Sequence, residues 1–116
     1  MVLQEEALIS EGGYAFVFRV RDSATGDLYA LKRIKGNVKM GEREVEIWRE
    51  IGKHANIVSF IQAEIKPEPQ PEVMIVNELC TGGTLYQLIA SQKTPLNENQ
   101  VLKVFKDIVL GVKHLH

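Results

Sequence analysis

Short apolar runs broken by turn-forming residues occupy the first third of the chain. Ala7-Leu8-Ile9 is stopped by Ser10-Glu11-Gly12-Gly13. Residues 15–20 gather Phe16, Val17, Phe18 and Val20, and the turn formers Asp22-Ser23-Ala24-Thr25-Gly26-Asp27 follow. A third run covers residues 28–34. β-Branched and aromatic runs between such clusters predict strands, and short connections predict an antiparallel meander. The spacing then changes. Val45, Trp48 and Ile51 stand three apart with charged residues between them, which predicts an amphipathic helix over 42–51, ended by Gly52. Residues 57–65 and 73–79 return to strand-like runs. Between them, Lys66-Pro67-Glu68-Pro69-Gln70-Pro71-Glu72 predicts an exposed, extended loop, because alternate prolines prevent sheet pairing.

Thr81-Gly82-Gly83 marks a break, and residues 85–90 predict one or two helical turns. Asn97, with Gln100 three residues on, predicts a capping box at the start of a final helix. Val101, Val104, Phe105, Ile108, Val112 and Leu115 then form the most regular apolar stripe in the chain. The stripe is still in pattern where the sequence stops at His116, so it expects a partner beyond that residue and marks the chain as a piece of a larger domain. Strands, a helix, strands and helices in this order define an α+β class.

Composition narrows the possibilities. With 116 residues the chain suffices for one modest domain. It is 45% hydrophobic and 25% charged, which excludes disordered and fibrous classes. A net charge of −1 leaves no electrostatic footprint for duplex nucleic acid. No apolar run approaches the roughly 20 residues that cross a bilayer. Acids at Glu5 and Glu6 argue against a signal peptide. The single cysteine, Cys80, excludes an internal disulfide and fits a reducing compartment.

Four segments bear on chemistry, each with a plainer reading beside it. Glycines in Ser10-Glu11-Gly12-Gly13-Tyr14 would let backbone N–H groups approach phosphate oxygens; the plainer reading is a hairpin turn. On the third strand, Ala30 and Lys32 share a face, so a small residue lies beside a cation where a flat ring and its phosphates would fit. The plainer reading is a solvated lysine. Within Arg43-Glu44-Val45-Glu46, a carboxylate could pair with Lys32, or simply stand wet on a helix. Asn77-Glu78-Leu79-Cys80 could offer backbone groups to a purine edge, or serve as a linker. Other signals fail. Gly36 and Gly41 have P-loop spacing, but Glu42-Arg43 follows where Lys-Ser/Thr is required. His54, His114 and His116 are too scattered for a metal site, and core or helix-end roles suit them better.

Taken in order, these motifs resemble the start of a eukaryotic protein kinase domain, over residues 7–116. The glycine-loop pattern G-x-G-x-x-G-x-V corresponds to Ser10, Gly12, Ala15 and Val17, with Tyr14 at the aromatic tip. Tyr29-Ala30-Leu31-Lys32 resembles Val-Ala-Ile-Lys, Glu44 the helix-C glutamate, and His54-Ala55-Asn56-Ile57-Val58 the His-Pro-Asn-Ile-Val segment. Asn77 matches the gatekeeper and Glu78 to Cys80 the hinge. The serine and alanine in the loop, Tyr-Ala-Leu-Lys-Arg and Glu-Leu-Cys-Thr-Gly-Gly are similar to the numb-associated kinases, among them the adaptor-associated, cyclin-G-associated and yeast actin-regulating kinases. From Lys32 to Glu44 is only 12 positions, short for that family, which implies a trimmed start to helix C.

The resemblance implies a five-stranded small lobe with hinge over residues 1–80 and the first large-lobe helices, D and E, over 81–116. It implies ATP as cofactor, with Lys32 on the α/β-phosphates and Glu44 holding Lys32. Ser10, Gly12 and Gly13 would cover the phosphates, and Ile9, Val17 and Ala30 would sandwich the adenine. Asn77 would flank the ring, while Glu78 C=O and Cys80 N–H would take its edge. His-Arg-Asp and Asp-Phe-Gly do not occur in the sequence, so the Mg²⁺ ligands and the catalytic aspartate lie outside this chain, which alone should be inactive. The implied role is Ser/Thr phosphorylation in the cytoplasm and at endocytic membranes, with clathrin adaptor subunits as substrates. The alternative is a catalytically inactive, pseudokinase-like binding module or truncated product.

Overall fold

A computed structural model describes residues 1–82, 85–91 and 96–116. Gly83, in the expected glycine break, lies outside the described residues. The chain divides into two compact units, Met1–Lys53 with Ser59–Leu79 and His54–Val58 with Cys80–His116.

The first unit holds strands β1 (Leu3–Glu11), β2 (Ala15–Asp22), β3 (Leu28–Lys35), β4 (Phe60–Lys66) and β5 (Glu72–Glu78), with helix α1 (Val38–Ile51) between β3 and β4. The strands form one antiparallel sheet in the order β1-β2-β3-β5-β4. The small-lobe architecture expected from the sequence is therefore present.

Each face of the sheet carries its own apolar cluster. Ile34, Val73 and Ile75 pack with Val45 of α1, with Trp48, Phe60 and Ala63 around them. On the other face, Val20, Leu31 and Val76 pack with Leu3, Phe18, Tyr29 and Met74. β5 is covered on both faces, which is why Val73-Met74-Ile75-Val76 reads as an unbroken apolar run rather than an alternating one. Trp48 stacks on Phe60 at 6.3 Å between ring centroids and fastens α1 to β4.

Several boundaries differ from the sequence reading. β1 begins at Leu3, well before its apolar run, because it is an exposed edge strand whose acids engage β2: Glu6 meets Arg21 at 2.8 Å and Arg19 at 3.3 Å. α1 begins at Val38 rather than residue 42, because the Asn37 side chain accepts a hydrogen bond from Met40 N–H at 3.2 Å and caps a turn with little apolar signal. Its end is as read, at Gly52 with φ of 68°. β4 starts at Phe60 rather than residue 57. Ile57 N–H donates to His54 C=O at 3.2 Å and Asn56 N–H to His54 Nδ1 at 3.1 Å, so the backbone turns there instead of extending. The proline segment is exposed through Pro71, but Glu72 is strand and only 8% exposed.

The second unit contains α2 (Leu85–Ser91) and α3 (Glu98–Leu115). The capping box forms: Asn97 Oδ1 accepts from Gln100 N–H at 2.8 Å, and Gln100 Oε1 accepts from Asn97 N–H at 2.9 Å. Gly111 is buried against the 54–58 segment, where a Cβ would stand 2.8 Å from the Asn56 carbonyl oxygen. One turn on, His114 stacks on His54 at 4.5 Å, so two of the three scattered histidines meet. Of the apolar stripe, Val104 is half-buried, while Val101, Phe105, Ile108, Val112 and Leu115 are exposed. No helix among the described residues is long and apolar enough to cross a membrane.

Candidate functional site

On one face of β3, Ala30, Lys32 and Ile34 follow one another, set opposite Asn77, Ile75 and Val73 of β5. Ile34 is buried beneath α1, so Lys32, two residues earlier, stands beside the helix rather than under it. α1 presents Glu44, next to the buried Val45, and its Oε1 lies 3.0 Å from Lys32 Nζ. The carboxylate and the lysine that the motif order singled out are thus brought together. The short interval does not prevent the pair. β3 ends at Lys35 and α1 begins at Val38, so only Gly36 and Asn37 connect them and the helix keeps 14 residues. Both side chains are about one-third exposed, so the pair adds little net stability. What it fixes is the position of an ammonium group.

Val17 of β2 pairs with Lys32 across the sheet, which puts Val17 beside the Ala30–Lys32 face. The β1–β2 hairpin closes through Gly12 N–H to Ala15 C=O at 2.8 Å, with Ser10 opposite Val17. Ile9 and Ser10 are exposed, as is Tyr14 at the tip. The glycines are not demanded by the packing of the chain itself. A Cβ at Gly12 would meet nothing nearer than Ala15 C=O at 3.7 Å, and one at Gly13 nothing within 4 Å. A side chain at either position would therefore meet no clash within the chain.

Asn77 is half-buried at the end of the same face, and its Oδ1 is buried with no donor among the described residues. A buried acceptor left in that state destabilises by about 1–3 kcal/mol. Asn77→Leu is therefore expected to raise the thermal unfolding midpoint, by about 1 kcal/mol of stability, read by calorimetry. A lower midpoint would mean that the amide is satisfied. Glu78 is tied to Ser59 twice: its N–H donates to Ser59 C=O at 2.9 Å, and its carboxylate accepts from Ser59 N–H at 3.1 Å. Cys80 is exposed and belongs to the second unit. Among the described residues, no three His, Cys, Asp or Glu side chains come together in a way that would hold a metal ion.

The sequence reading missed the ion pairs on the opposite face. Arg33 grips Glu72 through Nε to Oε1 and through Nη2 to Oε2 at 3.1 Å, while its Nη1 reaches Glu5 at 2.7 Å. The Arg33 hydrogen bonds hold the Glu72 carboxyl below its usual range against the opposing effect of burial, with Lys35 and Lys66 adding to the pull. The Arg33 guanidinium is pushed up in turn, chiefly by Glu72. Arg33 alternates with Lys32 and so faces away from Glu44; period-two alternation was the available signal.

A paired lysine and glutamate on one face of a five-stranded antiparallel sheet, with a glycine hairpin joining β1 to β2, is the small-lobe arrangement of a protein kinase domain. Residues 3–116 match the protein kinase domain family, and the chain belongs to it. A probable serine/threonine-protein kinase of Dictyostelium discoideum is 34% identical over 116 residues, covering 93% of this chain and 10% of that protein. A second from the same organism is 30% identical over 121 residues, covering 97% of this chain and 15% of its own length. Human serine/threonine-protein kinase H1 is 34% identical over 115 residues, 96% of this chain and 26% of that one. The chain thus spans between a tenth and about a quarter of the length of these relatives.

Proposed function

We propose that this chain is the ATP-binding segment of a serine/threonine protein kinase. The observation that carries the reading is the Lys32–Glu44 pair at 3.0 Å on the face shared with Val17 and Ala30, in a sheet whose β1–β2 hairpin carries Gly12 and Gly13. The residues fit a nucleotide triphosphate. Lys32 supplies a fixed cation for the α/β-phosphates, and Glu44 keeps it from swinging into solvent. Without side chains at Gly12 and Gly13, phosphate oxygens can approach the hairpin backbone closely, although the Gly12 N–H itself is held by Ala15 C=O. Val17, Ile9 and Ala30 offer apolar surface for the base, with Ala30 small enough to let it lie flat. The edge of the base falls to the backbone of Glu78, at the end of β5. ATP, when bound, supplies the phosphoryl group for transfer to a protein hydroxyl. Mg²⁺ ligands and the general base are contributed by sequence outside these residues. The loop serine and alanine, with Glu-Leu-Cys-Thr-Gly-Gly from Glu78 onwards, support a cytoplasmic kinase of the numb-associated kind, acting on clathrin adaptor subunits at endocytic membranes.

The test is binding of a fluorescent ATP analogue to the chain, with and without Mg²⁺, beside Lys32→Ala. Saturable binding is expected, weakened tenfold or more in the variant. Lys32→Ala keeps the fold, since the lysine is part-exposed and outside the core. A folded chain that does not bind, or binds equally well without Lys32, would sink the reading in favour of a binding module without nucleotide chemistry.

A further inference from the structure

Gly41 and Val45 are the two buried residues of α1, and they lie one turn apart on the side that meets the sheet. A Cβ added at Gly41 would stand 2.8 Å from both Cβ and Cγ2 of Val73, and 3.2 Å from Cγ1. Carbon atoms in contact sit roughly 3.5–4.0 Å apart, so a side chain there would have to lift the helix by about 1 Å. Val73 cannot yield instead. It is fully buried and β-branched, set in β5 opposite Ile34, with the Val45 cluster around it. Glycine is also a poorer helix former than alanine, so local preference points one way and packing the other. Glu44 lies three residues beyond Gly41, on the next turn, and its carboxylate reaches Lys32 at 3.0 Å. A lift of about 1 Å at residue 41 would carry that carboxylate towards the limit of an ion pair.

We propose that Gly41 is a positioning residue for the Lys32–Glu44 pair: its missing side chain seats α1 against Val73 at the depth from which Glu44 reaches Lys32. The link from the pair to nucleotide affinity rests on the reading under Proposed function; the geometric claim does not. The test therefore uses two readouts on the 116-residue chain. One is the Lys32 ammonium ¹⁵N resonance, with its displacement in Glu44→Gln defining loss of the pair. The other is affinity for the ATP analogue. Gly41→Ala is expected to retain native far-ultraviolet circular dichroism, to displace the Lys32 resonance as Glu44→Gln does, and to weaken nucleotide binding about tenfold.

Two further variants separate positioning from a general structural effect. Val73→Ala makes room for the new methyl group, so Gly41→Ala/Val73→Ala should recover the Lys32 resonance and the affinity, although Val73→Ala by itself lowers stability. In a Glu44→Gln background, Gly41→Ala should cost no further affinity. The proposal is overturned if Gly41→Ala leaves the Lys32 resonance in place, or if the folded double variant still lacks the pair. It is also overturned if Gly41→Ala weakens binding as much without Glu44 as with it. If Gly41→Ala does not fold, the folded double variant decides by the same resonance. Absence of nucleotide binding by the unaltered chain would refute the proposed function and leave the resonance to decide the role of Gly41.

Discussion

Ile75→Ala is expected to lower the stability of the chain by about 3 kcal/mol, within the range of roughly 2–5 kcal/mol found for such truncations at fully buried sites. Ile75 is 0% exposed, in the strand covered on both faces, and packs with Ile34, Val45 and Val73. Its strand neighbours, Lys32 on β3 and Ala63 on β4, are held by sheet hydrogen bonds and cannot close over the cavity. Among the described residues seven apolar side chains are buried, so each carries a large share of a total that for whole domains is about 5–15 kcal/mol. Urea unfolding followed by tryptophan fluorescence would report the change, because Trp48 packs on the same cluster. Leu8→Ala, at a half-exposed position, is the control and should cost less than about 1 kcal/mol. Equal losses for the two variants would mean that the core does not lie between α1 and β5.

Glu72→Gln is expected to cost about 2 kcal/mol near neutral pH, the scale of a part-buried hydrogen bond between charged groups. The glutamine cannot match the two-point grip of Arg33, which is left with Glu5 alone. The pH dependence follows from the direction of the shift. The folded state holds the Glu72 carboxyl below its ordinary value of 4.5, so the unfolded chain takes up the proton first. The contribution is complete above that ordinary value and is lost as pH falls from it through the lower folded value. The difference between the parent chain and Glu72→Gln should therefore be widest at neutral pH and shrink under acid. Denaturation midpoints measured from pH 7 down to about pH 3 would show this. A gap that stays constant across the range would assign the stabilisation to packing rather than to charge.

Where one element imposes its own pattern on the sequence, the fold was legible. β5 announces itself by four apolar residues in succession, and α3 by Asn97, Gln100 and a regular stripe. Legibility failed where a polar side chain redirects the backbone. Ile57 and Val58 look like the start of a strand, but the His54 carbonyl and ring capture the backbone N–H groups that pairing would need. Asn37 caps α1 without a glutamate or glutamine three residues on, so the usual sign was missing. Glu72 read as loop because prolines precede it, while the arginine that draws it inward is far away in sequence. The site divides in the same way. Lys32, Ala30 and Glu44 followed from motif order and alternation. The depth at which Gly41 meets Val73 did not, since it depends on a contact between distant segments.

The strand order imposes a sequence of events on synthesis. β1, β2 and β3 leave the ribosome as neighbours that can pair at once, but the partner of β3 is β5, not β4. Until Glu78 has been made, β3 keeps an open edge, and α1 has no Val73 or Ile75 to rest on. The nascent small lobe therefore passes through a stage in which Ile34, Val45 and Trp48 are all present and their common floor is not. Closing β3 on β5 spans the whole of α1 and β4, a non-local step that comes late. During that interval the unfinished chain displays an unpaired strand beside exposed apolar residues, the kind of surface that chaperones capture and that other nascent chains join.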